Sequence, residues 1–200
     1  TLMVMRNNRF RPEAQWVKRL ADAGQLGDVY AGRCGWVRRR GVPGKGGWFT
    51  TKALSGGGPL IDLGVHMIDL AIYLMGNPRA AAVSGATYRK FADTEAADSV
   101  HAAFGDKQAE GVFDVEDLAI GLVRFANGAS LQVECSWASN IKEESNFVEL
   151  RGSKGGCRLA SDAEPAVYTE MGGTTVDVIP RLAKSQWGGH GDNLYHFVDV

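Results

Sequence analysis

Gly56-Gly57-Gly58-Pro59-Leu60-Ile61-Asp62-Leu63-Gly64-Val65-His66-Met67-Ile68-Asp69-Leu70-Ala71-Ile72-Tyr73-Leu74-Met75-Gly76 is the stretch on which the fold turns. It reads as one buried helix. Three glycines lead in, Pro59 suits the first helical position, and Gly76 ahead of Asn77-Pro78 stops it. Nearly every residue between those ends is apolar, and a helix apolar all round belongs in a core. Yet the segment carries Asp62, His66 and Asp69. At roughly 100° per residue, Asp62 and His66 (i, i+4) and His66 and Asp69 (i, i+3) share one narrow stripe, which Tyr73 continues. Carboxylates and an imidazole are costly to bury unless they are paired or face a wet cleft. Two readings stand side by side: a satisfied core histidine with capping carboxylates, and an acid/base site facing a cleft.

On the N-terminal side, residues 2–5 read as a short apolar strand and residues 12–23 as a helix with Trp16, Val17 and Leu20 at helical spacing, ended by Gly24. A Gly24-Gln25-Leu26-Gly27 turn leads into a strand over residues 28–38. Arg38-Arg39-Arg40 reads as a solvated strand end in a near-neutral chain. Gly41-Val42-Pro43-Gly44-Lys45-Gly46-Gly47 resembles a phosphate loop only in composition. A Walker motif needs Gly where Arg39 stands and Ser or Thr where Gly46 stands. The segment reads as a mobile loop that carries Trp48 and Phe49 towards the opening of the helix, where Trp48 either stacks on a sugar ring or simply packs.

Beyond the helix, residues 79–88 form a strand, and residues 89–115 a long polar loop of the functional or mobile kind. Residues 118–126 and 129–137 flank Asn127-Gly128, a two-residue hairpin turn when both residues take positive φ. Pairing Ala126 with Ala129 sets Leu122 against Val133, Ile120 against Cys135 and Leu118 against Trp137, all on one face. Ala119, Gly121, Val123 and Phe125 then lie with Ser130, Gln132, Glu134 and Ser136 on the other. Further strands follow over residues 146–151, 157–159, 166–170 and 174–179, with Gly172-Gly173 turning the last pair. Trp187-Gly-Gly-His190-Gly is a Gly-rich loop into a helix that opens near Asp192, a plausible N-cap. The sum is an α+β fold: one large, open, mostly antiparallel sheet with helices on one side. Its free face meets solvent or another subunit.

Net charge is -1, which argues against nucleic acid or a membrane surface as a charge-driven partner. No run of 18 apolar residues is present, so no membrane partner is expected. Cys34, Cys135 and Cys157 are few, odd in number and far apart. They fit a reducing compartment and hence a cytoplasmic protein, not a disulfide framework. Asp62, His66 and Asp69 are also a conceivable divalent-metal set. The H-E-x-x-H spacing and a second nearby His are lacking, so no metal is expected.

The glycine run followed by Asp62-x-Gly64-x-His66-x-x-Asp69 resembles the signature helix of the Gfo/Idh/MocA oxidoreductases, a family that includes glucose–fructose oxidoreductase and inositol dehydrogenases. Arg9-Phe10, the Gly-x-Leu-Gly turn, Val115-Glu116-Asp117 and Arg151-Gly152-Ser153-Lys154-Gly155 fit the same pattern, so the likeness covers roughly residues 6–200. It implies the C-terminal domain of a two-domain dehydrogenase. Residues 1–9 would be the remnant of an N-terminal Rossmann domain and residues 10–200 a substrate-binding and oligomerisation domain truncated at its C-terminus. The family's Gly-x-Gly-x-x-Gly fingerprint and Glu-Lys-Pro motif are absent from the 200 residues. The resemblance therefore implies an NAD- or NADP-dependent oxidation of a secondary alcohol on a sugar or an inositol-like polyol, with the cofactor bound mainly by the missing domain. His66 is the candidate acid/base and Asp62 its partner. Asp69, Trp48 and His190 are candidate substrate contacts. A homodimer or homotetramer through the open sheet face is expected. The alternative is a non-enzymatic sugar-binding or dimerisation module.

Overall fold

The computed structural model describes residues 2–94, 97, 99–183 and 188–199. Among them an eight-stranded sheet runs in the order β2-β3-β4-β1-β5-β6-β7-β8. The strands are β1 (Val29–Val37), β2 (Ala80–Tyr88), β3 (Leu118–Phe125), β4 (Ser130–Ser136), β5 (Ser145–Gly152), β6 (Gly155–Ala160), β7 (Ala163–Met171) and β8 (Thr174–Val178). Neighbours are antiparallel except β1 and β4, which pair parallel at the centre with Cys34 beside Val133. This is the open, mostly antiparallel α+β architecture expected.

Helix α1 (Pro12–Asp22) and the helical segment 60–74 lie on one face. Ala14 and Val17 of α1 meet Met67, Leu70, Ala71 and Leu74 and the inward residues Cys34, Leu131, Val133, Val148, Leu150, Cys157 and Leu159 in one core. Lys52–Leu74 is a helical stretch long and apolar enough, by length and composition, to cross a membrane. Here its buried residues pack on the sheet. The short α2 (Lys52–Ser55) precedes Gly56, and Pro59 takes helical angles (φ −61°, ψ −23°). The expected single helix is in fact a π turn, Leu60–Gly64, followed by α3 (Val65–Leu74). Nor is it enclosed on every side. Ile61 is 54% exposed, and Asp62, His66, Asp69 and Tyr73 are only half-buried.

The hairpin register differs from the sequence expectation by one residue. Phe125 N donates to Ala129 O at 2.8 Å and Gly128 N to Phe125 O at 3.0 Å. Asn127 keeps negative φ while Gly128 sits at φ +88°. The connection is thus a three-residue loop, a tight turn followed by a left-handed glycine, and not the two-residue turn. Pairing becomes Val123 with Leu131, Gly121 with Val133 and Ala119 with Cys135. A one-residue slip exchanges the faces. Ala119 and Phe125 are therefore buried, and Ile120 and Leu122 lie outside, 42% and 39% exposed.

Four other expectations are corrected. Residues 2–5 join no strand of the sheet, and Leu2 and Val4 are exposed. The loops 41–51 and 89–117 are laced together instead of hanging loose. Gly44 N donates to Phe104 O (2.7 Å), Gln108 N to Lys45 O (2.9 Å), and Thr50 Oγ1 to Val112 O (2.8 Å). Asp117, wholly buried, holds that crossing by accepting from the Lys90 and Phe91 amides (2.5 and 2.6 Å). Arg38 is no solvated strand end but 7% exposed. The last helix, α4, spans Gly188–Asp199, so Asp192 lies within it and is not its cap. Trp187, read as part of the loop before it, lies outside the described residues.

Gly128→Ala is expected to cost roughly 1–2 kcal/mol, because a Cβ at positive φ is strained. Asn127→Ala is expected to cost less, since Asn127 does not hold positive φ and loses only the Oδ1 that accepts from Ala129 N. Urea-unfolding midpoints of the two variants check this; equal losses would restore the two-residue turn.

Candidate active site

The π turn and Gly64 bring the helical segment onto β4. The approach is close: a methyl on Gly64 would stand 3.0 Å from Cys135 Sγ, so Sγ or the helix would have to give by a few tenths of an ångström. It lets Asp62 reach down to the fully buried Trp137, whose Nε1–H donates to Asp62 Oδ2 at 2.8 Å. The extra residue of a π turn shifts the side-chain phase. Asp62 is hydrogen-bonded to that indole, not to His66, although its charge still acts on the imidazole.

His66, half-buried, makes no side-chain hydrogen bond among the described residues; its ring lies 6.2 Å from Trp36 of β1, tilted 59°. Burial chiefly lowers its pKa below the usual 6.5. The Asp62 and Asp69 charges raise it, and Arg6 and His190 lower it. At neutral pH the imidazole is therefore a neutral base.

Asp69 is differently placed from the substrate contact expected of it. Arg9 grips both its oxygens, Nε to Oδ2 at 2.7 Å and Nη2 to Oδ1 at 2.6 Å, and Arg6 Nε stands 3.6 Å from Oδ1. A two-pronged guanidinium–carboxylate pair is strong and directional. It raises the Arg9 pKa and ties the 3-10 turn Asn7–Phe10 to α3. Tyr73 belongs to the same anchor, with the Arg9 guanidinium 4.9 Å from its ring centre and Gln15 Nε2 donating to its hydroxyl at 3.3 Å.

His190 sits in the first turn of α4 and not on a loop. Its Nε2 lies 3.1 Å from Asn7 Nδ2, and its charge acts on His66 in the same sense as that of Arg6. Trp48, 56% exposed, belongs to an aromatic row, 5.3 Å from Phe49, which is 5.6 Å from Phe104. The structure thus brings Asp62, His66, Asp69 and His190 into one neighbourhood and gives Trp48 a separate one.

Sequence reasoning missed Trp137, Trp36 and Arg38. Arg38 Nη1 donates to Gly41 O at 3.2 Å, its guanidinium carbon lies 5.1 Å from the Trp36 ring centre, and its Nε has no partner in the structure. Burial lowers its pKa, and among the charges that oppose this Asp62 acts most strongly. Trp36 and Trp137 bracket Cys135 across the two central strands, but nothing in their spacing marks them as neighbours of Asp62. Among the described residues no three His, Cys, Asp or Glu side chains converge as a metal site.

Residues 14–158 match the model of the GFO/IDH/MocA C-terminal domain. The chain belongs to the GFO/IDH/MocA family. It is 36% identical over 177 residues to the D-glucoside 3-dehydrogenase of Escherichia coli K12, covering 88% of this chain and 48% of that protein. It is 33% identical over 176 residues to a putative UDP-kanosamine synthase oxidoreductase subunit of Amycolatopsis mediterranei, covering 84% and 48%. Among solved structures it superposes on levoglucosan dehydrogenase in complex with NADH at a TM-score of 0.72 and 22% identity, covering 96% of this chain and 49% of that one. The last likeness shows the fold. This GFO/IDH/MocA chain spans about half the length of the curated relatives it matches.

An NAD-type cofactor, as in the NADH complex, finds no phosphate cradle among the described residues ahead of the 60–74 helical segment. The glycine run there is filled by protein: a Cβ on Gly58 would stand 2.0 Å from Glu116 O, and Leu60 N already faces Glu116 Oε1 at 3.4 Å. No catalytic step is assigned to a dinucleotide held by this chain.

Histidine titration followed by NMR checks the electrostatics. The His66 midpoint is expected below 6.5. Asp62→Asn removes a stabiliser of the imidazolium and lowers the midpoint further, whereas Arg6→Gln removes a like charge and raises it. Shifts of the opposite sign would refute the arrangement.

Proposed function

We propose that this chain is the substrate-binding and catalytic part of an NAD- or NADP-dependent oxidoreductase that oxidises a secondary alcohol of a sugar or inositol-like polyol, with His66 as acid/base. One observation carries the reading: a half-buried, neutral imidazole without a protein hydrogen-bond partner, beside a carboxylate held by a buried indole. Every other acidic group on the same helix has a fixed partner, so His66 is the group left to exchange a proton. The relatives' names, D-glucoside 3-dehydrogenase and levoglucosan dehydrogenase, support the substrate class.

In this reading the imidazole accepts the hydroxyl proton as the alcohol becomes a ketone and returns it in reverse. Removing that proton is favoured by a base whose pKa lies near the working pH. Asp62, fixed by Trp137, stabilises the imidazolium and offers its other oxygen to a substrate hydroxyl. Asp69 acts as an anchor, holding Arg9 and the turn that carries Asn7 beside His190. His190 lines the rim, and Trp48 is an outlying sugar-stacking ring. The nicotinamide supplies the hydride acceptor and is bound by a domain outside these residues, with residues 1–9 leading out of it.

The outer sheet face is the proposed oligomer contact, because Ile120, Leu122 and Tyr88 expose apolar surface there beside the Arg33–Glu149–Arg158 charges. Ile120→Glu is expected to shift the native protein to a smaller species in sedimentation; an unchanged species would remove this face from the assembly.

The native protein is expected to be well heavier than 21.5 kDa and to form NADH or NADPH from methyl β-D-glucopyranoside or a related sugar. His66→Ala should lower kcat about 100-fold or more with little change in KM. A raised KM at unchanged kcat would make His66 a binder. A native mass near 21.5 kDa with no turnover would replace the enzyme by the sugar-binding module, which the lack of a phosphate cradle favours for the chain in isolation.

A further inference from the structure

The wall that holds His66 continues past it. Trp36 stands 6.2 Å from His66 and 6.1 Å from His101, the second contact edge-on at 80°. The Arg38 guanidinium, 5.1 Å from the ring centre, lies against the same indole. Trp36 is therefore an indole that two imidazoles and a guanidinium share.

His101 has no packing task that accounts for it. It rides on the 3-10 turn Val100–Ala103, which Ser99 caps by accepting from His101 N at 3.2 Å. The turn seats itself by burying Ala102, while Val100 is 85% exposed. The His101 imidazole makes no side-chain hydrogen bond among the described residues. Its charged neighbours are Arg38 and Glu144. Glu144 is committed elsewhere, to Arg39 N (2.9 Å) and Ser99 Oγ (3.0 Å). Burial and the Arg38 charge lower the His101 pKa, so at neutral pH the ring is uncharged, with one N–H donor and one acceptor nitrogen.

Two imidazoles, 6.2 and 6.1 Å from one indole, offer polar contacts beside an aromatic surface. That matches the chemistry of a pyranose, whose hydroxyls donate and accept while its C–H groups rest on aromatic carbon. We propose that His101, which shares the Trp36 indole with His66, is a second sugar-hydroxyl contact in the same cleft and sets specificity for a pyranose or pyranoside that reaches past the indole. Trp36 positions both rings. The inference rests on the sugar-oxidoreductase reading of His66, and its test separates the two.

The full chain is titrated with methyl β-D-glucopyranoside while the imidazole resonances of His66 and His101 are followed by NMR. Both are expected to move along one saturation curve. His101→Ala is expected to weaken binding about tenfold, the loss of one good hydrogen bond. His101→Gln, which keeps a donor and an acceptor, should restore most of it. Thermal midpoints are expected to stay together, because the ring is not part of the packed core. Movement of His66 without His101 overturns this inference and leaves the sugar site standing. Movement of His101 without His66 overturns the shared cleft. Movement of neither overturns the sugar reading and the inference with it.

Discussion

The close approach of the 60–74 helical segment to β4 is the constraint from which the site follows. It depends on Gly64, where a methyl would press on Cys135 Sγ and on Leu60 Cδ1 (3.0 and 3.1 Å). At that separation Asp62 meets Trp137, His66 comes level with Trp36, and Met67, Leu70, Ala71 and Leu74 enter the core. A side chain at position 64 would press on Cys135 and Leu60, and any resulting shift of the helix would strain the bond from the buried Trp137 Nε1 to Asp62. Unpaired buried donors are costly, so packing and chemistry share one point of failure.

Each polar group on this apolar helix is accounted for differently. Asp62 is held by a neutral donor that fixes its direction and leaves its charge intact. Asp69 is neutralised by the two-pronged Arg9 pair, which also fastens the turn carrying Asn7 beside His190. His66 is left without a hydrogen-bond partner and half-buried. The cost of burying an imidazole falls on its charged form, so the fold keeps His66 neutral without needing a partner for it. Such a group is ready to accept a proton at neutral pH, with the negative Asp62 close enough to steady the product.

How much of this was legible in the residues depended on how local the cause was. Pro59, the glycines, and the alternation in β3 and β4 are local signals, and they placed the helix and the sheet, though with the faces of β3 exchanged. The Asn127-Gly128 dipeptide marked the hairpin but not its register. That was decided by whether Ala126 ended the strand or joined the turn, which the backbone hydrogen bonds and angles show. Arg38 was misread because three adjacent arginines resemble a solvated run, whereas the chain bends at Gly41 and covers the first of them. Asp62, His66 and Asp69 were visible as a stripe, but their partners were not. Trp137 lies 75 residues from Asp62 and Arg9 lies 60 from Asp69. Pairings at that separation come from strand order, above all the parallel placement of β1 beside β4, which no short-range pattern encodes.

The buried guanidinium of Arg38 shows how the charges balance. Burial lowers its pKa and the Asp62 charge raises it. A cation that is 7% exposed, with an unpartnered Nε, is tolerated because Trp36 lies against it and Gly41 O accepts from Nη1. Its field also reaches His101, where it opposes protonation. On the other side, Arg6 opposes protonation of His66. Each imidazole thus has an arginine that disfavours its cation and a carboxylate that favours it, with burial acting alongside the arginine. The two histidines next to Trp36 are held neutral by the same kind of balance, and a change in either arginine or carboxylate moves that balance in a direction fixed by its sign.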